Sequence, residues 1–162
     1  LRSLEGLVDV YLPDFKYADD ALAVRLSNAP DYRATALAAL REMVRQTGEN
    51  VYGDDGLLQR GVIVRHLILP AHTRNSLAVL DLLAAEFPGV PVSLMAQYVP
   101  MGRVPADARY ADVNRRVTAR EYRKVLDHMM ALDLDGFCQE RSAAEARYVP
   151  DFTQFDAVPD QK

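Results

Sequence analysis

The pattern that most constrains the fold is the recurrence of short apolar runs, each closed by proline or by charged residues. These runs occupy residues 6–13, 62–69 and 92–98, and a shorter one covers residues 134–139. An apolar run of this length is typical of a strand that is buried on both faces of a parallel sheet. The sequence therefore predicts a buried sheet of parallel strands.

Helical patterns separate these runs. Apolar residues recur with helical spacing over residues 19–27, 32–46 and 76–87. A fourth helix is predicted to begin after Thr118, because Thr118 and Glu121 have the spacing of a capping box. Two stretches are predicted to be irregular: residues 49–59, a loop or short hairpin, and residues 101–116, a long polar connection.

The alternation of strand and helix predicts an α/β fold with right-handed crossovers. A complete eight-unit barrel needs about 250 residues, whereas the chain has 162. We therefore expect a partial (β/α) barrel over residues 1–141, followed by a C-terminal tail over residues 142–162. An open doubly wound sheet is the alternative. Because Leu1 falls within a helix-like segment, we expect the chain to be a piece of a longer protein.

The charge and cysteine content narrow the functional classes. A formal net charge of −4 and a pI near 5.3 argue against nucleic acid and anionic membranes as partners. No apolar stretch approaches the roughly 18 residues that a membrane span requires. The single cysteine, Cys138, cannot form an internal disulfide, so a reducing cytoplasm is the expected location.

Two charged residues follow the first apolar run. Asp14 and Lys16 are two positions apart, so in extended backbone their side chains share a face. Ligands of α/β folds bind at the carboxyl ends of the strands. The pair is therefore a candidate site, and an ordinary ion pair that closes the strand is the alternative.

Four segments, taken in order, resemble a known family. They are VDVYLPDFKY (residues 8–17), GVIVRHLILP (61–70), SLMAQY (93–98) and RVTAREY (116–122). In combination and order they resemble the C-terminal portion of a radical S-adenosylmethionine (radical SAM) protein of the pyruvate formate-lyase activating enzyme-like group. The resemblance spans nearly the whole chain.

The resemblance implies a partial (β/α) barrel that holds a four-iron four-sulfur cluster and S-adenosylmethionine. Reduction of the bound sulfonium by one electron would give methionine and a 5′-deoxyadenosyl radical. In the activase branch of the family, that radical removes a hydrogen atom from a glycine of a partner enzyme. The barrel would exclude water and hold the reactive carbon near its target.

The resemblance also assigns residues to the cofactor. Asp14 and Lys16 match the Asp-x-Lys pair that contacts the amino and carboxylate groups of the methionine moiety. Arg65 and Leu67 match the segment of the fifth barrel strand that lines the cofactor. Gln97 and Tyr98 lie where the sixth strand reaches the adenine, on which an aromatic ring could stack. No catalytic residue or metal ligand is predicted for this chain.

The chain departs from the family at two places. The family's Cys-x-x-x-Cys-x-x-Cys loop is absent, and Cys138 alone cannot hold a four-iron cluster. The family's Pro-Gly after the fifth strand is Pro70-Ala71 here, which puts a tight backbone approach in doubt. We therefore expect no radical chemistry from this chain alone, and we expect its first partner to be the missing N-terminal half of the barrel.

Other residues of potential chemical interest have simpler interpretations. His66 should be a half-buried strand histidine, and His128 a solvated helix residue. His72, at the exit of the strand, is better placed for a ligand. The three histidines lack metal-site spacing, so no zinc is expected. Cys138 should be a buried small hydrophobic residue.

Two further function classes remain open. Asp14, Lys16 and Asp19 also fit the Asp-x-Lys-x-x-Asp pattern of orotidine monophosphate decarboxylase-like barrels, although the glycine-rich phosphate site expected late in such a barrel is absent. The other class is non-catalytic: the open strand edges of a barrel fragment would favour a homodimer or docking onto the missing half.

Overall fold

The computed structural model describes residues 1–138. Within them, the four α-helices α1 to α4 are Asp20–Ser27, Tyr32–Thr47, Thr73–Glu86 and Ala119–Ala131. The six strands β1 to β6 are Val10–Tyr11, Val51–Tyr52, Leu58–Val62, Val64–Leu67, Val92–Met95 and Gly136–Cys138. Short 3-10 helices occupy Arg2–Leu4, Val104–Ala106 and Ala108–Val113. The predicted tail over residues 142–162 lies outside the described residues, as does residue 139 of the last predicted strand.

The strands form two three-stranded sheets that share one continuous stretch of chain. Their strand orders are β1-β3-β2 and β4-β5-β6, and every pairing is parallel except the antiparallel hairpin of β2 with β3. A single residue, Ile63, separates β3 from β4, and its N–H donates to the Tyr11 carbonyl at 3.0 Å. The parallel strands therefore lie side by side in the order of the chain, which confirms the predicted α/β class.

One face of these strands is packed against helices. The buried residues alternate along the strands, as at Val64, His66 and Ile68 of the β4 region. Leu40 of α2 and Leu80 of α3 belong to the same hydrophobic cluster as Val64 and Ile68, and so do the α4 residues Val125 and Met129. A smaller cluster forms around α1, from Tyr17, Leu22, Ala23 and Leu69. The core therefore lies between one face of the strands and their connecting helices.

The opposite face carries the intervening residues, and most of these are partly or fully exposed. It is called the uncovered face below, and consists of Leu12, Asp14, Lys16, Ile63, Arg65, Leu67, Ser93, Met95, Gln97 and Phe137. Two of its large apolar side chains, Leu12 and Phe137, are 53% and 54% exposed. With the half-buried Ile63, Leu67 and Met95 they give this face much of its apolar surface, and exposed apolar surface of this kind is a candidate for binding.

Several helix boundaries follow their sequence signals. Asp19 caps α1, and its Oδ1 accepts the Ala21 N–H at 2.8 Å. Gly48 ends α2 with a φ of 70°, a conformation that favours glycine. The predicted capping box at α4 is present: the Glu121 N–H donates to the Thr118 Oγ1 at 3.2 Å, and the Thr118 N–H donates to Glu121 at 2.9 Å.

Other boundaries differ from the predictions. The first strand is only Val10–Tyr11, shorter than the predicted run over residues 6–13. At the start of that run the chain turns, because Gly6 has a φ of 79° and Leu7 is 76% exposed. The later strands end at Leu67 and Met95, earlier than predicted. Helix α3 starts three residues earlier than predicted, at Thr73. Apolar composition predicted where the strands lie, but not how far their ladders extend.

The segment between α2 and β3 forms a hairpin, one of the two structures that the sequence left open for it. The side chain of Asn50 pairs with both backbone groups of Val62: Nδ2 donates to the carbonyl at 3.0 Å, and Oδ1 accepts the N–H at 2.9 Å. Gly61 has a φ of 137°, and a Cβ there would collide with Asn50. The side chain of Asn50 thus replaces a strand partner beside the point where β3 passes into β4.

Candidate functional site

Asp14 and Arg65 meet where the chain after β1 continues alongside β4. They form an isolated parallel bridge, in which the Phe15 N–H donates to the Arg65 carbonyl at 2.9 Å and the Arg65 N–H donates to the Pro13 carbonyl at 2.8 Å. The Nη2 and Nε atoms of Arg65 lie 2.7 and 2.8 Å from the Oδ1 of Asp14. The register of the sheet therefore places this ion pair on the uncovered face.

Lys16 adds a third charge. Its Nζ lies 3.5 Å from the Oδ2 of Asp14, the oxygen that Arg65 does not hold. The side chains of Lys16 and Arg65 are each 45% exposed, and that of Asp14 is 32% exposed. Ion pairs this exposed contribute little to stability. The group of Asp14, Lys16 and Arg65, called the charged cluster below, can therefore exchange its partners for those of a ligand.

Leu67 and Gln97 lie on the same face. Leu67 is half-buried and pairs in register with Met95. Gln97 follows the buried Ala96, so alternation places it on the uncovered face. The buried Oε1 of Gln97 accepts no hydrogen bond from the described residues. The Nε2 of the same amide lies 3.9 Å from the Met95 sulfur.

Tyr98 is placed differently from the other five predicted site residues. It packs against both hydrophobic clusters and lines a separate cavity of about 710 Å³ together with Tyr17 and Leu69. Burial raises the pKa of the Tyr98 phenol. The structure brings the other five residues together on the uncovered face and leaves Tyr98 on the side of the core.

His66 is fully buried, so the prediction of a half-buried histidine was wrong. It points away from Arg65 into the core, where α3 packs over this face of β4. Its Nδ1 lies 2.7 Å from the Phe15 carbonyl oxygen. Burial lowers the pKa of His66 to about 4, against the opposing effect of this hydrogen bond. The imidazole is therefore neutral at pH 7 and donates from Nδ1 to Phe15.

Asp19, the third residue of the Asp-x-Lys-x-x-Asp pattern, has a structural role. Its Oδ1 accepts the N–H groups of Ala21 and Leu22 at 2.8 and 3.4 Å as the N-cap of α1. It has no hydrogen bond or ion pair with Lys16 among the described contacts. This arrangement favours capping over a role in an alternating array of charges.

A second polar cluster was not found from the sequence. Arg25 binds both carboxylate oxygens of Asp112, at 3.1 and 2.7 Å, and the Nε2 of His72 lies 2.8 Å from the Oδ2 of Asp112. The Arg25 guanidinium holds the pKa of Asp112 far below its usual range. At least 40 positions separate any two of these residues, so no local pattern could reveal the contact. His72 thus takes part in the contact between α1 and the 3-10 helix Ala108–Val113.

The turn after β4 forms with alanine in place of glycine. Ala71 has a φ of 64°, in the left-handed region. This conformation costs an alanine about 1–2 kcal/mol. Glu121 compensates, because its Oε1 accepts the Ala71 N–H at 2.7 Å. Arg115, 2.7 Å from the same carboxylate, keeps the pKa of Glu121 far below its usual range. The left-handed turn that glycine would favour therefore forms here with alanine.

The remaining predicted residues are distributed over the surface. Cys138 is exposed, so the prediction of a buried residue was wrong; it ends β6, an edge strand of the described sheet. His128 is only partly solvated, and its Nε2 lies 2.7 Å from the Oδ1 of Asp81.

Within residues 1–138, no group of three or more His, Cys, Asp or Glu is arranged to hold a metal ion. No helix in this range has the length and hydropathy to cross a bilayer.

These features define an α/β protein with parallel strands and a charged cluster on one uncovered face. No protein-family model matches the sequence. An uncharacterized protein of Methanocaldococcus jannaschii is 29% identical to it over 136 residues. The match covers 83% of this chain but only 35% of that protein, so the chain spans about a third of the length of this relative. Because the relative is uncharacterized, the match assigns no activity.

Proposed function

We propose that the chain is the C-terminal part of a radical SAM protein of the pyruvate formate-lyase activating enzyme-like group. The observation that carries this proposal is the parallel bridge between Asp14 and Arg65, which joins the Asp-x-Lys pair and the arginine of the next strand on one face. These are the positions that the resemblance assigns to the cofactor. The order of the four resembling segments, on which that assignment rests, also supports the proposal.

The arrangement of helices and strands favours a partial barrel over a doubly wound sheet. A doubly wound sheet carries helices on both faces and reverses its strand order at a switch point. Here the parallel strands follow the order of the chain, and the helices of the core pack against one face. In a barrel, the uncovered face would line the interior. The remaining strands would come from the missing N-terminal half.

The charged cluster matches the two charges of an amino acid. The Asp14 carboxylate can accept hydrogen bonds from an ammonium group. Lys16 and Arg65 can donate to a carboxylate, and such charge-assisted hydrogen bonds are stronger than neutral ones. The methionine end of S-adenosylmethionine carries both groups. We therefore assign the charged cluster to that end of the cofactor.

The adenine end would lie further along the same face. Leu67 offers apolar contact, and the Gln97 amide would accept an N–H of the base once its side chain turns its buried oxygen towards the ligand. Tyr98 packs on the side of the core, so we propose that it supports the end of β5 and that any stacking on the base needs a movement of its ring.

The residues of this chain do not fit the cluster that the family also requires. A four-iron cluster needs several thiolates, and Cys138 is the single cysteine. The cysteines would have to come from another part of a longer protein, in a reducing cytoplasm. When bound, the cluster would supply the electron that cleaves the sulfonium. A glycyl radical enzyme as the final partner is part of this proposal.

Binding of S-adenosylmethionine to the chain tests the proposal. Without the cluster, we expect a dissociation constant in the millimolar range. We expect Lys16→Met to weaken binding by about 10- to 150-fold, because one charge-assisted hydrogen bond is worth about 1.5–3 kcal/mol. Titration calorimetry measures both. Lys124→Met, which removes an exposed lysine from α4, is the matched control and should leave the affinity unchanged.

Two results would contradict the proposal. The first is submicromolar binding, which would mean that the affinity does not depend on the missing cluster. The second is equal affinity in the Lys16 and Lys124 variants.

Self-association through the uncovered face is a second candidate function. It is favoured by the exposed side chains of Leu12 and Phe137, because large apolar residues on an open sheet face favour association. Under this candidate, the chain would form concentration-dependent dimers and would give no heat in the titration with S-adenosylmethionine.

A further inference from the structure

The backbone of residues 14–18 forms neither a helix nor a strand, yet its polar groups are extensively paired. Buried backbone N–H and C=O groups must find partners. In this segment, side chains from three separate elements provide most of them, whereas regular structure would provide them from the backbone. The segment carries two of the three residues of the charged cluster.

Tyr32, the first residue of α2, bridges the segment on both sides of Phe15. Its hydroxyl donates to the Asp14 carbonyl at 3.1 Å and accepts the Lys16 N–H at 2.9 Å. Its ring packs edge-on against Phe15, with centroids 6.2 Å apart. Burial raises the pKa of the Tyr32 phenol, so the hydroxyl keeps the proton that it donates.

His66 and Asn75 bind the backbone of residues 14–18 from the side of the core. The Nδ1 of His66 donates to the Phe15 carbonyl at 2.7 Å. The Nδ2 of Asn75 donates to the Lys16 carbonyl at 2.9 Å, while its Oδ1 accepts the Ala18 N–H at 2.9 Å. Because the amide makes one contact of each kind, its orientation is fixed.

These three side chains serve this segment alone. Apart from a 3.4 Å contact of Asn75 with the next N–H, that of Asp19, their side-chain hydrogen bonds to described residues all go to residues 14–18. An exposed ion pair would not require such support for stability. A binding group does, because a flexible segment must be ordered when the ligand binds.

We infer that Tyr32, His66 and Asn75 are positioning residues, which fix the backbone on both sides of Phe15 so that Asp14 and Lys16 present their charges together beside Arg65. The identity of the ligand rests on the proposed function, whereas the geometry of the cluster does not. The hydrogen bonds of the three residues to this segment reach only its backbone, so they would act on a ligand through Asp14 and Lys16.

Hydrogen exchange tests this inference without a ligand. In Tyr32→Phe, NMR should show three- to tenfold faster exchange of the Lys16 amide and of the Arg65 Nε–H, as expected for the loss of one hydrogen bond. The Arg65 Nε–H donates to Asp14 at 2.8 Å and does not touch Tyr32. It therefore reports the position of the charged group and not simply the lost contact.

The matched control is Tyr11→Phe. It removes a hydroxyl that donates to Gln46 at 2.6 Å, on the same stretch of chain but away from the cluster. Both exchange rates should remain unchanged in this control. Asn75→Ala is a second variant, expected to accelerate exchange at Ala18 and at the Arg65 Nε–H, and it keeps the inference testable if Tyr32→Phe does not fold.

An unchanged exchange rate at the Arg65 Nε–H in both site variants would overturn the positioning role. Equal acceleration in Tyr11→Phe would also overturn it, because the effect would then be global. Failure of the unmodified chain to bind S-adenosylmethionine, with the exchange rates changing as expected, would contradict the proposed function and support the positioning role.

Discussion

Replacement of Phe15 by alanine is expected to lower the free energy of unfolding by about 3–5 kcal/mol, the range typical of a buried Phe→Ala change. Phe15 is 2% exposed and belongs to the main core cluster, between the two charged residues Asp14 and Lys16. The change removes its packing against the core and its edge-on contact with Tyr32. Urea unfolding, monitored by circular dichroism, measures the loss.

Leu12→Ala is the control for this change. Leu12 lies on the same stretch of chain but on the uncovered face, and is 53% exposed, so its replacement should cost about 0.5 kcal/mol or less. If Phe15→Ala unfolds the protein completely, Phe15→Leu should still cost about 1 kcal/mol. An equal cost for the changes at positions 12 and 15 would mean that the two faces are assigned wrongly.

Stability should also fall by about 3 kcal/mol as the pH is lowered from 6.5 to 4, because His66 is buried in its neutral form. Burial lowers its pKa in the folded state to about 4, whereas the unfolded chain takes up the proton near pH 6.5. Between these values the unfolded state binds more protons. The stabilisation is therefore complete above pH 6.5 and is lost as the pH falls towards 4.

His66→Gln isolates this effect. Glutamine can still donate a hydrogen bond to Phe15 but does not titrate, so the difference in stability between the two proteins should depend on pH only within this window. Carboxylates with lowered pKa values, such as Asp112, lose their pairing below about pH 4 in both proteins. A parallel pH dependence of the two proteins, measured by urea unfolding, would contradict the burial of a neutral His66.

The fold class was accessible from the sequence because its signals are local and strong. The apolar runs located the parallel strands, and the capping box at Thr118 located the start of α4. The limits of the strands were less accessible. Tyr11 and Pro13 stand in one apolar run, but only tertiary hydrogen bonds decide that the regular ladder ends at Tyr11.

The charged cluster was partly accessible. The spacing of Asp14 and Lys16 predicted that their side chains share a face, and the structure agrees. The ion pair of Asp14 with Arg65 depends on the register between segments 51 positions apart, which composition does not encode. The same reason explains why the contacts of Tyr32 and Asn75 with this segment had no sequence signal.

The two errors in burial have a common cause. A strand pattern shows which residues share a face but not how completely a helix will cover it. His66 lies on β4, which pairs with β5 on one side and bridges to Asp14 on the other, and it is fully buried, whereas Cys138 lies on the edge strand β6 and is exposed. Burial therefore depended on the position of the strand in the sheet, which only the assembled fold shows.

We propose that the uncovered face binds the amino-acid end of S-adenosylmethionine, and NMR mapping on the isotope-labelled chain tests this most directly. At millimolar ligand, chemical-shift changes should concentrate at Lys16, Arg65 and Gln97, and they should be lost in Lys16→Met. Shift changes confined to the helical side of the sheet would contradict this proposal. The absence of any shift change at the highest ligand concentration would contradict it too.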